Sequence, residues 1–292
     1  MPSAFGQPLA TTAAKAYRAA MTLSNLPSER RRRPFTRVPL RIILPNLVTM
    51  LALCTGITAI RYAVEGQFEK AVIAVIVAAI LDGLDGRLAR ALKGTSRFGA
   101  ELDSLADFID FGVAPALVLY LWSLHEMKSL GWFAALVFAV AAALRLARFN
   151  VAIEDTDRPA WASDYFTGMP APAGAIGVLL PLYLHLSVVG LPNSAAFVPF
   201  EVAWMLTIAF LMASRIPHFS GKTIGRIPRE NLAVVLFGIV VTVLLLYTFP
   251  MEMLIALTLG YLVTIPFSIR RVRSLQAADQ AAAAAETPEN AS

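Results

Sequence analysis

The chain has 292 residues, a net charge of +5 and a mean hydropathy of +0.64, with 57% hydrophobic and only 15% charged residues. A soluble globular domain carries about a quarter charged residues, so this composition excludes an ordinary water-soluble fold and points to a membrane protein. The single cysteine, Cys54, excludes an internal disulfide and reads as a small packed hydrophobe.

Residues 1–40 are polar and basic, and Arg30, Arg31, Arg32, Arg33, Arg37 and Arg41 gather at the entrance to the first apolar run. They read as a topology signal that also suits anionic lipid. No aromatic-interleaved basic domain follows, so no nucleic-acid partner is expected. No apolar core of signal-peptide length precedes Arg30. Apolar runs then follow at about 42–63, 69–92, 101–123, 130–152, 171–190, 195–213, 232–248 and 251–268. Several approach the roughly 20 residues that cross a bilayer, and without water the backbone of such a run has to be helical. The expectation is an all-α, polytopic membrane helical bundle of about eight transmembrane helices. It divides into a basic segment (1–40), a transmembrane domain (41–270) and an Ala-rich tail (271–292) expected to fray or be disordered.

Charge sets the orientation. With the N-terminus in the cytoplasm, the inner segments hold Lys93, Arg97, Arg158, Arg215, Lys222, Arg226, Arg229, Arg270, Arg271 and Arg273, whereas the outer side holds Arg61, Lys70 and Lys128. That asymmetry follows the positive-inside rule and places both termini in the cytoplasm, at an inner membrane.

Asp82, Asp85, Asp103 and Asp107 stand at the joint between the second and third runs, spaced i, i+3 and i, i+4. On helices each pair shares a face. An acid at the centre of a membrane helix costs about 2.5–3.5 kcal/mol and usually marks function. Carboxylates sharing one cavity repel each other unless cations neutralise them, and two divalent ions would balance four negative charges. No His or Cys lies near, so hard Mg²⁺ or Mn²⁺ fits better than Zn²⁺. Mg²⁺ on a few carboxylates completes its shell with substrate phosphates and water. Gly83, Gly86, Gly94 and Gly99 leave room for a ligand or for close helix packing, and Arg87, Arg90 and Arg97 can donate to phosphate.

The acids lie inside a longer pattern, D-x2-D-G-x2-A-R-x8-G-x3-D-x3-D, running from Asp82 to Asp107. It resembles the signature of the CDP-alcohol phosphotransferases at every fixed position, and the resemblance extends over about residues 40–270. It implies transfer of a phosphatidyl-type group from a CDP-linked lipid to an alcohol, with release of CMP, using two metal ions. By the same resemblance Asp82, Asp85, Asp103 and Asp107 are metal ligands, and Asp107 is also the general base toward the acceptor hydroxyl. Gly86, Ala89, Arg90 and Gly99 shape the nucleotide pocket, with Asn46 and Thr49 of the first span facing it. The resemblance also implies a homodimer.

Further segments resemble the branch of the family that makes phosphatidylserine: Arg145 to Asn150, Phe166 to Ala173, and Phe111 to Pro115. They imply CDP-diacylglycerol and L-serine as substrates. Arg145 and Arg148 can offer guanidinium groups to the serine carboxylate, and Asn150 can bond the amino acid; snorkelling is the other use of both arginines. Glycerol 3-phosphate, an inositol phosphate or choline remain alternative acceptors, and a cation transporter is the alternative class. Asp110 departs from the small neutral residue expected there. His218 reads as a surface or packed residue, and the basic loop around Lys222 and Arg226 as a topology signal.

Overall fold

The computed structural model describes residues 40–154, 165–219 and 232–286. The described chain is helical apart from one short ribbon. Helices α1 (Leu40–Val64) and α2 (Phe68–Ala91) form an antiparallel pair. Then α3 (Arg97–Asp107) runs through a π-turn over Phe108–Val113 into α4 (Ala114–Trp122). Next come α5 (Lys128–Glu154), strand β1 (Tyr165–Thr167), α6 (Ala171–Val178), α7 (Leu180–Leu186) and α8 (Val198–Ala213). Strand β2 (Pro217–Phe219), α9 (Leu232–Thr248) and α10 (Pro250–Glu286) complete the order.

The helices fall on the eight apolar runs of the sequence. Among the described residues, four helical stretches are long and apolar enough to cross a membrane: Leu40–Val64, Arg97–Trp122, Leu124–Ala152 and Pro250–Leu275. Val198–Ala213 and Leu232–Thr248 are shorter apolar helices. Helix α2 has 24 residues but carries charges towards both ends. The fifth run is not one helix. It breaks between α6 and α7, where Pro181 enters the first turn of α7 without a backbone N–H to continue α6. In the tail, α10 continues through the alanines to Glu286. Alanine is the strongest helix former, and the helix above it supplies a nucleus that an isolated tail would lack.

Small residues let the first pair approach closely. Helix α1 buries Pro45, Thr49, Ala52, Gly56, Ala59 and Ala63, a seam spaced three and four residues apart. Helix α2, packed against it, buries Ala71, Val72, Ala74, Val75 and Ala78. Without a hydrophobic drive between helices in lipid, such small-residue contacts supply the packing. The opposite face of α1 exposes Leu47, Met50, Leu51 and Ile57, and α9 buries no residue. These apolar faces suit lipid tails.

One end of the bundle gathers the connections that matter. Helix α2 stops in a left-handed turn at Lys93 (φ 51°), with the Lys93 amide donating to Arg90 and the Gly94 amide to Ala89. This is a Schellman stop. The Ser96 hydroxyl then accepts from the Gly99 amide at 3.0 Å and starts α3. At the same end β1 pairs antiparallel with β2, Phe166 opposite His218.

Candidate active site

The tight turn between α2 and α3 is what brings the acids together. Asp82 and Asp85 lie near the end of α2, and Asp103 and Asp107 lie on α3. One carboxylate oxygen from each of Asp82, Asp85 and Asp103 lies within 4.8 Å of the others. Asp107 lies next to this trio rather than within it, its carboxylate in hydrogen-bonding reach of Asp82. An all-oxygen cluster of this kind fits a hard divalent cation. Asp85, 3% exposed, is oriented from α1: the Thr49 hydroxyl donates to its Oδ2 at 2.6 Å. Such outer partners fix the direction of a metal-binding carboxylate.

The glycines separate into two kinds. A Cβ on Gly94 would collide with the Arg41 carbonyl of α1, the acceptor that Pro45 leaves without its helical amide. A Cβ on Gly99 would lie 2.7 Å from Asn46 Oδ1, so this glycine seats Asn46 beside the start of α3. Both are packing glycines. Gly83 faces nothing within 4 Å, and a Cβ on Gly86 would meet only Arg90 Nη1, at 3.8 Å. Ala89 is half-buried and Arg90 exposed on the same stretch of α2. Open space over Gly86, flanked by a guanidinium and the acid cluster, can admit a phosphate-bearing ligand.

The three residues of α5 have different surroundings. Arg145 is 7% exposed, packs its guanidinium 5.2 Å from the Phe149 ring centre, and acts electrostatically on Asp107 and Asp82. Arg148 points elsewhere. Its Nη2 donates to the Met212 carbonyl at 3.1 Å and its Nη1 to Ser214 at 3.3 Å, capping the last turn of α8. A Cβ on Gly168, whose φ is +82°, would press on those same two carbonyls. Arg148 and the Phe166–Ala173 segment therefore organise the end of α8, where two of the Arg148 guanidinium nitrogens are taken up by backbone carbonyls. Asn150 Nδ2 donates to Ser104 Oγ at 2.9 Å, tying α5 to the helix that carries Asp103 and Asp107.

Two further polar residues are fully buried. Asp110, 1% exposed, sits in the π-turn with Oδ1 against Gly56, where no side chain would fit. Pro115, which cannot donate to the carbonyl four residues back, follows that widened turn. His218, expected at the surface or packed, is 1% exposed and bonds Tyr261 of α10 at 2.9 Å. Tyr261, the partner of His218, was not among the residues singled out from the sequence, where its signal was a lone hydroxyl within an apolar run. Lys222 and Arg226 lie outside the described residues.

The sequence pattern of the CDP-alcohol phosphatidyltransferases matches residues 42–266. The chain belongs to that family. The family match spans the helices that build the acid cluster and leaves out the basic N-terminus and the end of the tail. Among relatives, a protein from Mycobacterium leprae named CDP-diacylglycerol–serine O-phosphatidyltransferase is 41% identical over 240 residues, 82% of this chain and 78% of its own. A Bacillus subtilis protein of the same name is 33% identical, covering 60% of this chain and 90% of its own. An archaetidylserine synthase from Methanothermobacter thermautotrophicus is 32% identical over 61% of this chain and 70% of its own.

Proposed function

We propose that this chain is an integral-membrane phosphatidyltransferase that converts CDP-diacylglycerol and L-serine to phosphatidylserine and CMP. The observation that carries the reading is the meeting of Asp82, Asp85, Asp103 and Asp107 at the α2–α3 turn. The serine-specific part draws its support from the names of the relatives, which this chain matches over most of its length.

Asp82, Asp85 and Asp103 would hold a divalent ion, and Asp107 beside Asp82 could share a second, either Mg²⁺ or Mn²⁺. Bound there, such ions neutralise diphosphate charge and polarise the phosphorus under attack. Thr49 keeps Asp85 in its ligating orientation. Arg90 donates to diphosphate oxygens over the open face of Gly86, and Ala89 and Asn46, the latter seated by Gly99, border the nucleotide. Asp107 takes the proton of the serine hydroxyl as its oxygen bonds to the phosphatidyl phosphorus. The bond from that phosphorus to the bridging oxygen breaks, and CMP leaves with both electrons. Arg145 faces the serine carboxylate, and Asn150 holds the acceptor end of α5 against α3.

The Lys/Arg distribution supports eight spans with both termini and the site on the cytoplasmic face of an inner membrane; the resemblance supports a homodimer. The test is CMP release by the purified protein in vesicles containing CDP-diacylglycerol, with labelled serine, glycerol 3-phosphate, inositol phosphate or choline. Serine incorporation is expected, and incorporation of another alcohol instead of serine would reject the assignment. Asp107→Asn should keep nucleotide binding and lose transfer by about 10²–10⁴-fold.

A further inference from the structure

Helices α1 and α2 frame a groove of about 360 Å³ that the reaction does not use. Its walls include Leu51, Thr55 and Thr58 of α1 and Ile73 and Val77 of α2. From Leu51 to Tyr62 it follows α1 for about 16 Å, roughly half of a hydrocarbon core about 30 Å thick. The groove is therefore about one leaflet long. Its Tyr62 end lies roughly 20 Å along α1 beyond Thr49, the residue that bonds Asp85. It thus belongs to the half of α1 that leads away from the acid cluster. Neither wall threonine has its hydroxyl proton free for a guest. Thr55 Oγ1 donates to the Leu51 carbonyl at 2.7 Å and Thr58 Oγ1 to the Cys54 carbonyl at 2.6 Å. With those bonds made inside α1, the walls suit an apolar occupant.

The far end of the groove has a different character. Lys70 Nζ lies 5.9 Å from the centre of the Tyr62 ring, within range of a cation–π contact. Arg61, at the same end of α1, is held by Glu65 at 2.8 Å. Lys70 is exposed and has no carboxylate partner among the described residues. It stands in the first turn of α2, where a cation opposes the helix dipole, so helix stability does not account for it. An apolar channel one leaflet long, ending at an unpaired ammonium beside a tyrosine, has the polarity of a phospholipid. We infer that the groove holds an acyl chain of an anionic phospholipid from the leaflet opposite the acid cluster, with its phosphate on Lys70. This lipid is a bound ligand and not a substrate, because its phosphate lies at the other end of α1 from the carboxylates. It spans the two helices that carry Thr49 and Asp85 and braces that pair. The site does not depend on which reaction the acid cluster performs.

Cys54 makes the groove testable. It lines the wall, is exposed and is the sole cysteine of the chain. It lies about 12 Å along α1 from Tyr62, so it reports on the chain of the lipid while Lys70 holds the head. The experiment follows alkylation of Cys54 by N-ethylmaleimide in the full-length protein in detergent. Phosphatidylglycerol, phosphatidylcholine with the same chains, or glycerol phosphate is added in increasing amounts. Phosphatidylglycerol should slow the alkylation and do so at a lower concentration than phosphatidylcholine, whereas glycerol phosphate, which has no chain, should not slow it. Lys70→Gln should raise the phosphatidylglycerol concentration for half-protection by about fivefold, the effect of one cation near a lipid phosphate. Arg61→Gln should leave that concentration within about twofold, because an exposed, ion-paired guanidinium contributes little. Absence of protection by phosphatidylglycerol, equal half-protecting concentrations for the two lipids, or protection by glycerol phosphate would each overturn the inference. So would an unchanged value in Lys70→Gln, or an equal loss in Arg61→Gln, which would indicate diffuse attraction in place of a site.

Discussion

In the proposed function Gly86 faces the ligand and Gly99 packs the helices, and replacing Gly86 with alanine separates the two. Gly86 lies inside α2, and a Cβ there would have only Arg90 Nη1 as a neighbour, at 3.8 Å, an ordinary van der Waals distance. Nothing in the folded chain is displaced. The substitution should therefore stabilise α2 by up to about 1 kcal/mol, the helix-interior difference between glycine and alanine. A methyl group protruding into a filled diphosphate pocket instead costs about 1–3 kcal/mol as overpacking, roughly five- to 150-fold in affinity. The expected result is a thermal midpoint in detergent that is equal or higher, together with a KM for CDP-diacylglycerol raised by that factor and a serine KM little changed. Gly99→Ala is the control, because its Cβ would lie 2.7 Å from Asn46 Oδ1 and 3.1 Å from Ser96 Oγ. It should lower the midpoint as well as the activity. An unchanged CDP-lipid KM in Gly86→Ala, or a drop in its midpoint, would refute the distinction between the two glycines.

Thr49→Val removes the 2.6 Å donor to Asp85 and should raise the metal concentration for half-maximal CMP release by about 10–100-fold; equal metal requirements would show that Asp85 needs no help from α1. Arg148→Ala leaves the Met212 and Ser214 carbonyls without their guanidinium, so it should lower the thermal midpoint and reduce use of both substrates alike; a selective rise in serine KM would restore Arg148 to the acceptor site. Burial lowers the His218 imidazole to about 4, from an ordinary value near 6.5. Between those values the unfolded chain binds a proton that the folded chain does not. Stability from this group is therefore full above about pH 6.5 and declines as pH falls toward 4, by at most about 1.4 kcal/mol per pH unit. Thermal midpoints of His218→Asn should fall less steeply than those of the wild type over that range, and parallel curves would reject the burial argument.

Much was legible in the residues because it depends on local order. The apolar runs set where helices form, since a backbone in lipid can satisfy itself only along its own length. Asp82, Asp85, Asp103 and Asp107 could be paired by face from their spacing, and the short basic stretch between them implied that two helix ends meet. Within those runs the breaks were less visible. The π-turn at Phe108–Val113 and the interruption at Leu179 follow from prolines whose effect depends on how neighbouring helices re-satisfy the freed carbonyls.

What only the tertiary structure decided is which side chains share a space. Arg145 and Arg148 are one helical turn apart and identical in chemistry. Yet Arg145 is buried against the Phe149 ring while Arg148 caps α8, because the end of α8 falls within reach of the second. Gly86 and Gly99 look alike in the signature; one opens on empty space and the other holds Asn46. His218 and Tyr261 stand 43 positions apart and meet at 2.9 Å. Helix periodicity carries information over a few turns, whereas these contacts join helices brought together by close packing. The residue types supplied the chemistry of the site, and the packing of α1 against α2 and α3, and of α5 against the π-turn, determined which of them surround it.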